Sequence, residues 1–496
     1  MIHPAKLAAT ELLLAATALA AQGPADRQQA RKLMDDGNYR EALDQLRELT
    51  LAAETDPNDA ESSELASDFR RALACFQQLN RTAEIDEYRE RVAARHGGNW
   101  RLLAAVAQSY LDVPHHGFRI AGAFHRGAHR GGGEMMHATA RDRVRALQLF
   151  RQALALVDED PQQQRTPEAA ALASGLASAL MHGGYAQAWR LQTLTSLGEL
   201  PDYEEGYGHH GAAPRGAPVD DEGRPVFYEP PASWDAAQND GRGWGWPLAR
   251  RTAWQPDALR RELRERADFL RSQFSVRTMA DYGWWFARPD DDADVAKSTF
   301  DLPSLGENET IARLATGIQR LTLPDEHNFL KLLRRVAGDS TQGDGDWSSA
   351  LATMAEELED RRQLPRAAEL WRELLAGSPN NSAYMDRLTQ ITGNWGRIEP
   401  ATTQRAGRGA TFDYRYRNGQ RVDFTARPVK VRQLLDDVKA YLSSNPRQLN
   451  WQQVNLDQLG HRLVVEGQDK YLEAESARWS LDLDPRPGHA DRRVTV

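Results

Sequence analysis

The feature that most constrains this chain is a spacing that occurs three times. Ala42 and Leu46 precede Pro57. Ala146, Phe150 and Ala153 precede Pro161. Ala367, Trp371 and Leu374 precede Pro379 and Asn380-Asn381. Residues four apart lie on one helix face, one turn above the other. A small alanine there lets an antiparallel helix come close, and the larger side chain one turn on fills the groove beside it. Proline then prevents the helix from continuing. A chain built this way has to fold by packing helices in pairs. Residues 27–111 and 138–197 agree, carrying alanine, leucine, arginine and glutamate at helical spacing with few internal glycines. The copies are not contiguous, so they predict a helical array and not a single regular solenoid.

The offsets resemble the Ala-x3-aromatic…Pro signature of tetratricopeptide repeats, most fully around Gly37-Asn38-Tyr39-Arg40-Glu41-Ala42-Leu43. The expected fold class is mainly α: a tetratricopeptide-like array followed by an α+β segment. The expected organisation is a signal peptide over 1–21, a helical-repeat region over 22–197 and a loop- and tryptophan-rich segment with helices over 198–299. A second helical-repeat region over 300–395 and an α+β segment over 396–496 follow. In 198–255 the density of glycine and proline argues against long regular elements. Trp234, Trp244, Trp246 and Trp254 are too many for a free linker, so their indoles should anchor that segment to neighbouring helices. Helix returns at 256–275. The patch Tyr282-Gly283-Trp284-Trp285-Phe286 leads into Asp290-Asp291-Asp292-Ala293-Asp294, which lacks the spaced ligands and central glycine of a calcium loop and reads as a solvated acidic loop.

After Trp395 the period changes to two. Phe412, Tyr414 and Tyr416 alternate with polar residues, and Val422 and Phe424 do so beyond Asn418-Gly419. Two alternating runs around Asn-Gly predict a β-hairpin. Val431, Leu434, Leu435, Val438 and Leu442 then share a helix face, stopped by Ser443-Ser444-Asn445-Pro446. Ala477, Trp479, Leu481 and Leu483 alternate as a half-buried, sandwich-like strand. Arg492-Arg493-Val494-Thr495-Val496 reads as a strand without a partner, which predicts that the polypeptide continues as a truncated β domain.

Lys6, the largely apolar run Leu7–Ala21 and the small-x-small triplet Ala18-Leu19-Ala20 have the order of a secretory signal, interrupted by Glu11. Export is therefore expected. No run approaches the roughly 20 apolar residues needed to span a bilayer. The 496 residues carry 62 basic and 71 acidic side chains, a formal charge of −9, which speaks against nucleic acid as a partner. A single cysteine, Cys75, excludes an internal disulfide and a multi-cysteine zinc site.

Four longer passages resemble one family: Phe300-Asp301-Leu302-Pro303-Ser304-Leu305-Gly306-Glu307-Asn308-Glu309-Thr310-Ile311-Ala312 with Leu323–Asn328, Ile391–Arg397 through the Asn418-Gly419 turn, Leu434–Leu442, and Trp479–Pro487. They look like the N-terminal region of large bacterial alpha-2-macroglobulin-like proteins, in which tetratricopeptide-like helices precede the first macroglobulin-type β domains. The resemblance extends over about residues 27–496. It implies an exported protein of the periplasm or cell envelope, a non-catalytic scaffold of a protease-trapping molecule. Its partners would be a protease or envelope protein and the remaining domains of its own longer chain. A free-standing tetratricopeptide-like scaffold that binds a peptide or envelope protein is the alternative. Some members of that family carry a thioester in Cys-Gly-Glu-Gln that acylates the captured target. Cys75 is followed by Phe76-Gln77-Gln78, does not match it, and is expected as a small buried core residue.

The richest polar cluster runs from His115-His116-Gly117-Phe118-Arg119 through His125, Arg126, His129 and Arg130 to Gly131-Gly132-Gly133 and His137. Imidazoles near glycines are the raw material of a zinc or copper site, and interleaved His and Arg that of an anion site. The flanking glycines argue against a helix that would align His125 with His129, and no His-Glu-x-x-His stands here. The expected form is a polar, glycine-rich loop between helices. Nucleophile-elbow, phosphate-loop and dinucleotide motifs are lacking, and Gly241-Arg242-Gly243-Trp244-Gly245 lacks the helix pattern of a phosphate cradle. The reading is of a non-enzyme with no catalytic, cofactor-binding or metal residue assigned and no cofactor.

Overall fold

The computed structural model describes residues 25–51, 60–184, 190–206, 216–276, 301–400, 403–405, 407, 409–445, 447–450 and 459–496. The signal peptide, Pro57, the aromatic patch at 282–286, the aspartate run at 290–294 and Pro446 lie outside them. The described chain is mainly α, with small antiparallel sheets and a C-terminal α+β segment. It forms two compact units, Met1–Gly283 with Lys297–Ala350, and Trp284–Ala296 with Leu351–Val496. Among the described residues no helix is long and apolar enough to cross a membrane.

The first unit is an array of helices: α1 (residues 25–35), α2 (Tyr39–Leu51), α3 (Ala60–Gln78), α4 (Ile85–Arg95), α5 (Trp100–Asp112), α6 (Thr139–Asp158), α7 (Pro167–Met181), α8 (Asp240–Trp254), α9 (Leu259–Phe274) and α10 (Phe329–Gly338). α2 packs on α3, α3 on α5, α5 on α6, α6 on α7, α7 on α8, and α9 on α10. The alanine spacing works as its sterics predict. Ala42, Leu46, Ala146, Phe150 and Ala153 are all buried in one continuous core. At the α6–α7 contact the Phe150 ring lies over Gly175, where a Cβ would stand 2.8 Å from it, so the bare glycine backbone sets the approach of the two helices. Asn99 caps α5 by accepting from Leu102 N at 3.0 Å, and Thr166 caps α7 with a proline in its first turn. Cys75 is buried in this core, and burial pushes its thiol up to about 11.

Three stretches of this unit depart from expectation. The histidine-rich segment is not a loop. It forms the strands β1 (His116–Ile120), β2 (Ala123–Arg126) and β3 (Glu134–His137), joined by β4 (Glu204–Glu205) in a sheet of order β2-β1-β3-β4. Ala121 and Gly122 both take positive φ, 50° and 84°, the two-residue turn whose twist suits adjacent strands. Second, the Gly- and Trp-rich run Asp240–Trp254 is a helix of 15 residues despite Gly241, Gly243, Gly245 and Pro247. Asn239 caps it through Arg242 N at 2.9 Å, and its glycines let other chain lie flat on it. A Cβ at Gly241 would fall 2.5 Å from the Tyr228 ring, and one at Gly245 3.0 Å from Pro230. The indoles anchor as expected: Trp234, Trp244, Trp246 and Trp254 pack on the main core. Third, residues 309–322 make a hairpin of β5 (Glu309–Leu314) and β6 (Gly317–Thr322) inside a stretch read as helical.

The division between units falls within α11 (Gly345–Asp360). In the second unit α12 (Leu364–Gly377) buries Ala367, Trp371 and Leu374, the third alanine set, and packs on α13 (Ser382–Thr392). The Trp371 indole donates to Glu359 at 2.6 Å. Beyond lie β7 (Trp395–Ile398), β8 (Asp413–Arg417), β9 (Arg421–Ala426), α14 (Val431–Ser443), α15 (Leu459–Val464), β10 (Ala477–Asp482) and β11 (Arg492–Thr495). The expected hairpin across Asn418-Gly419 does not form. β8 joins a sheet of order β11-β8-β7, while β9 pairs with β10. Asn418, at φ 60°, turns the chain from one sheet to the other, and its Nδ2 donates to the carbonyls of Ile391 and Gly393 at 2.8 and 2.9 Å. The side chain is engaged in tertiary bonds that a simple hairpin turn would leave to solvent. The two sheets meet through Phe424, whose ring lies 5.4 Å from Phe412, 5.2 Å from Tyr414 and 5.3 Å from Trp479. β11, expected to be bare, has β8 as its partner. α14 forms where its period predicts, yet of its apolar face only Leu434 is buried, with Val431, Leu435 and Leu442 exposed.

Candidate functional site

The β1–β3 sheet stands between α5 and α6 in sequence and lays its polar residues against the start of α6. Asp142 lies on the face of α6 that carries Ala146 and Phe150, so the same periodicity that buries them carries its carboxylate inward. It meets Arg126, the last residue of β2. Arg126 donates from Nη1 to Asp142 Oδ2 at 2.7 Å and from Nη2 to Oδ1 at 2.8 Å, and both side chains are 2 % exposed. Its Nε donates to Asp86 of α4 at 3.0 Å, and Nη1 also reaches the Pro114 carbonyl at 2.8 Å. Asp86 in turn accepts from Arg89, a fully buried residue whose guanidinium lies 3.6 Å over the Tyr110 ring.

Two imidazoles extend this centre. His115 Nδ1 stands 2.7 Å from Asp142 Oδ2, and His115 Nε2 stands 3.1 Å from His182 Nε2. An ionised carboxylate only accepts, so His115 donates from Nδ1. A neutral His115 then accepts at Nε2, which makes His182 the donor. Burial works to raise the Asp142 carboxyl, but the His115 hydrogen bond and the Arg126 charge outweigh it and hold the group below the ordinary carboxylate range. Burial and the neighbouring His115 push the His182 imidazole down. Burial also opposes charge on Arg126, and Asp142 and Asp86 reverse that and raise it.

An Asp-His pair of this kind fixes an imidazole tautomer in hydrolases, where the far nitrogen faces a nucleophile. Here the far nitrogen faces a second imidazole. Among the described residues neither ring is hydrogen-bonded to a hydroxyl or thiol. The sheet's other imidazoles do not converge with them. His137 faces Glu204 at 3.2 Å, while His116, His125 and His129 are exposed. Arg119 lies 3.8 Å from Glu134 and 3.9 Å from Asp202, and Arg126 is committed to Asp142 and Asp86. Neither the metal nor the anion reading finds a convergent set within the described sheet.

A second buried pair ties three helices together. Arg143 donates to the Ala179 and Leu180 carbonyls at the end of α7, at 3.1 and 2.9 Å, and to Asp240 of α8 at 2.8 Å. Asp240 also accepts from Thr195 N at 2.8 Å. Sequence reasoning passed over Asp86, Arg89, Asp142, Arg143, His182 and Asp240. The available signal was charge placed in phase with apolar residues, as Asp142 is with Ala146 and Phe150 and as Arg89 is with Ile85 and Val92.

On the array itself α3, α5, α6 and α7 enclose a groove of about 360 Å³. Its lining includes Trp100, Ala104, Phe150 and Leu172, with Arg70 and Glu168 among the charged groups. Arg101 lies 4.2 Å over the Trp100 ring. The Trp100 indole N–H is buried and has no acceptor among the described residues. A further depression of about 310 Å³ lies between α7, α8 and α9, lined in part by Ser174, Trp244 and Glu265. The chain matches no protein-family model, and no curated protein matches it.

Proposed function

We propose that this protein is a non-catalytic helical scaffold that holds a polypeptide partner in the groove between α3 and α7. In its more specific form, it is the front arm of an exported alpha-2-macroglobulin-like protease trap in the periplasm or cell envelope. The observation that carries the scaffold reading is the groove. It has an apolar lining of Trp100, Ala104, Phe150 and Leu172, and charges of both signs in Arg70 and Glu168. Such a mixture suits an extended peptide, whose apolar side chains take the wall and whose polar groups meet the charged rim. The non-catalytic reading is supported by the polar groups themselves. The buried pairs Arg126–Asp142 and Arg143–Asp240 are spent on each other, and the Cys75 thiol is held far from its reactive form. The protease-trap reading rests on the resemblance of the passages at 300–328, 391–419, 434–442 and 479–487.

A trap leaves a captured protease able to cut small substrates while shielding it from large ones. The protein expressed from its whole gene should therefore suppress hydrolysis of casein by a general endoprotease and spare a chromogenic tripeptide. Equal hydrolysis of both substrates with and without the protein would remove the protease-trap reading and leave the scaffold reading to its own test.

A further inference from the structure

Away from both the polar centre and the groove, Glu229, Glu326 and His327 bring two carboxylate oxygens and an imidazole nitrogen within 4.8 Å of one another. The imidazole is the informative member. His327 is 2 % exposed, and among the described residues its ring makes no hydrogen bond. One ring face is covered by Phe227, stacked at 4.8 Å and 18°, which itself rests on Phe274. Its Nε2 points at Glu229 Oε1 from 3.9 Å, too far for a hydrogen bond.

The turn that carries His327 is held from both sides. Asp325 accepts from Lys331 Nζ at 2.7 Å and from Asn308 Nδ2 at 3.1 Å. Asn328 caps α10 through Leu330 N at 3.1 Å and donates to the Glu307 carbonyl at 3.0 Å. The ring is thus fixed before any ligand arrives, as a binding site requires. Glu229 and Glu326 are both exposed, and neither pairs with a lysine or arginine among the described residues. The charge of Arg266 is felt at His327, but Arg266 forms no ion pair with either carboxylate there. Two carboxylates and one imidazole thus converge, and among the described residues neither carboxylate is paired with a lysine or arginine.

We propose that Glu229, Glu326 and His327 bind a divalent first-row transition cation, zinc being the one their donors fit. Magnesium and calcium are held by oxygen ligands in larger number, whereas one imidazole with two carboxylates suits zinc, and three protein ligands leave a position for water. The ion would clip the segment after Tyr228 to the turn before α10, both within the first unit.

The test uses the full chain without an affinity tag, stripped with chelator, dialysed and titrated with zinc chloride. One saturable equivalent is expected. E229Q, which changes an exposed side chain, and H327N, which keeps a planar group against Phe227, should each weaken it by about tenfold or more. The H125N/H129N pair in the exposed part of the sheet should retain it. Cobalt in place of zinc should give visible bands more intense than those of the aqueous ion in the unaltered chain and not in E229Q. Absence of a saturable equivalent, or equal affinity in the chain and in folded E229Q and H327N, would overturn the proposal.

Discussion

Arg126 and Asp142 face each other through two parallel hydrogen bonds, 2.7 and 2.8 Å long, with each side chain 2 % exposed. An ion pair so deep adds little over an apolar pair of the same size, yet losing one partner strands the other. R126M should therefore lower the free energy of unfolding by about 3–5 kcal/mol. The double variant R126M/D142L should recover part of that loss, because Asp86 still loses Arg126 and His115 still loses Asp142. Urea denaturation of the three proteins checks it, and a double variant as weak as the single one would show that the pair does more than neutralise itself.

Acid should weaken the first unit in two stages. The folded imidazoles of His182 and His327 are held below their ordinary value of 6.5, chiefly by burial. The unfolded chain then takes up protons first, so stability present above about pH 6.5 is lost as pH falls through and below that value. The Asp142 carboxyl is also depressed, against the opposing effect of burial, by His115 and Arg126. Its contribution is present above the unfolded carboxylate value of about 3.9 and disappears as pH falls further, through the folded value. Denaturation midpoints from pH 8 to pH 3, measured with chelator present, should show both stages. H182N should shrink the first stage to the part that His327 contributes and leave the second.

Gly175 shows two opposed effects of one methyl group. Alanine there gains about 1 kcal/mol of helix propensity. Its Cβ, however, would meet the Phe150 ring at 2.8 Å, and overpacking costs about 1–3 kcal/mol. G175A should be destabilised on balance, and F150L should be better tolerated beside it than alone. Thermal denaturation of G175A, F150L and the pair gives the coupling; additive losses would mean the ring moves aside freely.

Asn418 is held at φ 60° while its amide donates to two carbonyls. Asn418→Gly keeps the backbone and loses those bonds, and should cost about 1–3 kcal/mol for the two carbonyls left without that donor. Asn418→Ala should cost more, because alanine also resists positive φ. Unfolding of the second unit, followed through its tryptophans, would show the order; equal losses would remove the backbone argument.

These positions also mark how far the sequence could be read. The alanine spacing is a packing rule, so Ala42, Ala146 and Ala367 announce their helices in the sequence alone. The tryptophans of α8 announced anchoring but not the helix, because glycine propensity argued against one. Contact with Tyr228 and Pro230 overrode that propensity, and such contact is not written locally. Asn418-Gly419 specified a turn correctly, but which strands pair across it depended on carbonyls at 391 and 393. The glycines of the histidine segment suggest a loop, yet Ala121-Gly122 makes a tight turn that pairs strands. The polar centre was the least legible part. Asp86, Arg126, Asp142 and His182 come from four separate elements, and only the fold brings them together. The trio at Glu229, Glu326 and His327 is equally non-local.

The central claim is that the groove between α3 and α7 takes a polypeptide. Ala104 lies in its lining, half-buried against the edge of the core. The direct measurement is fluorescence anisotropy of an unstructured peptide library with the full chain and with A104W, whose indole would occupy the groove. The account predicts saturable binding of a subset of peptides by the unaltered chain, lost in an A104W that keeps its circular dichroism and melting temperature. Binding that survives A104W unchanged, or no saturable binding of any peptide, would contradict it.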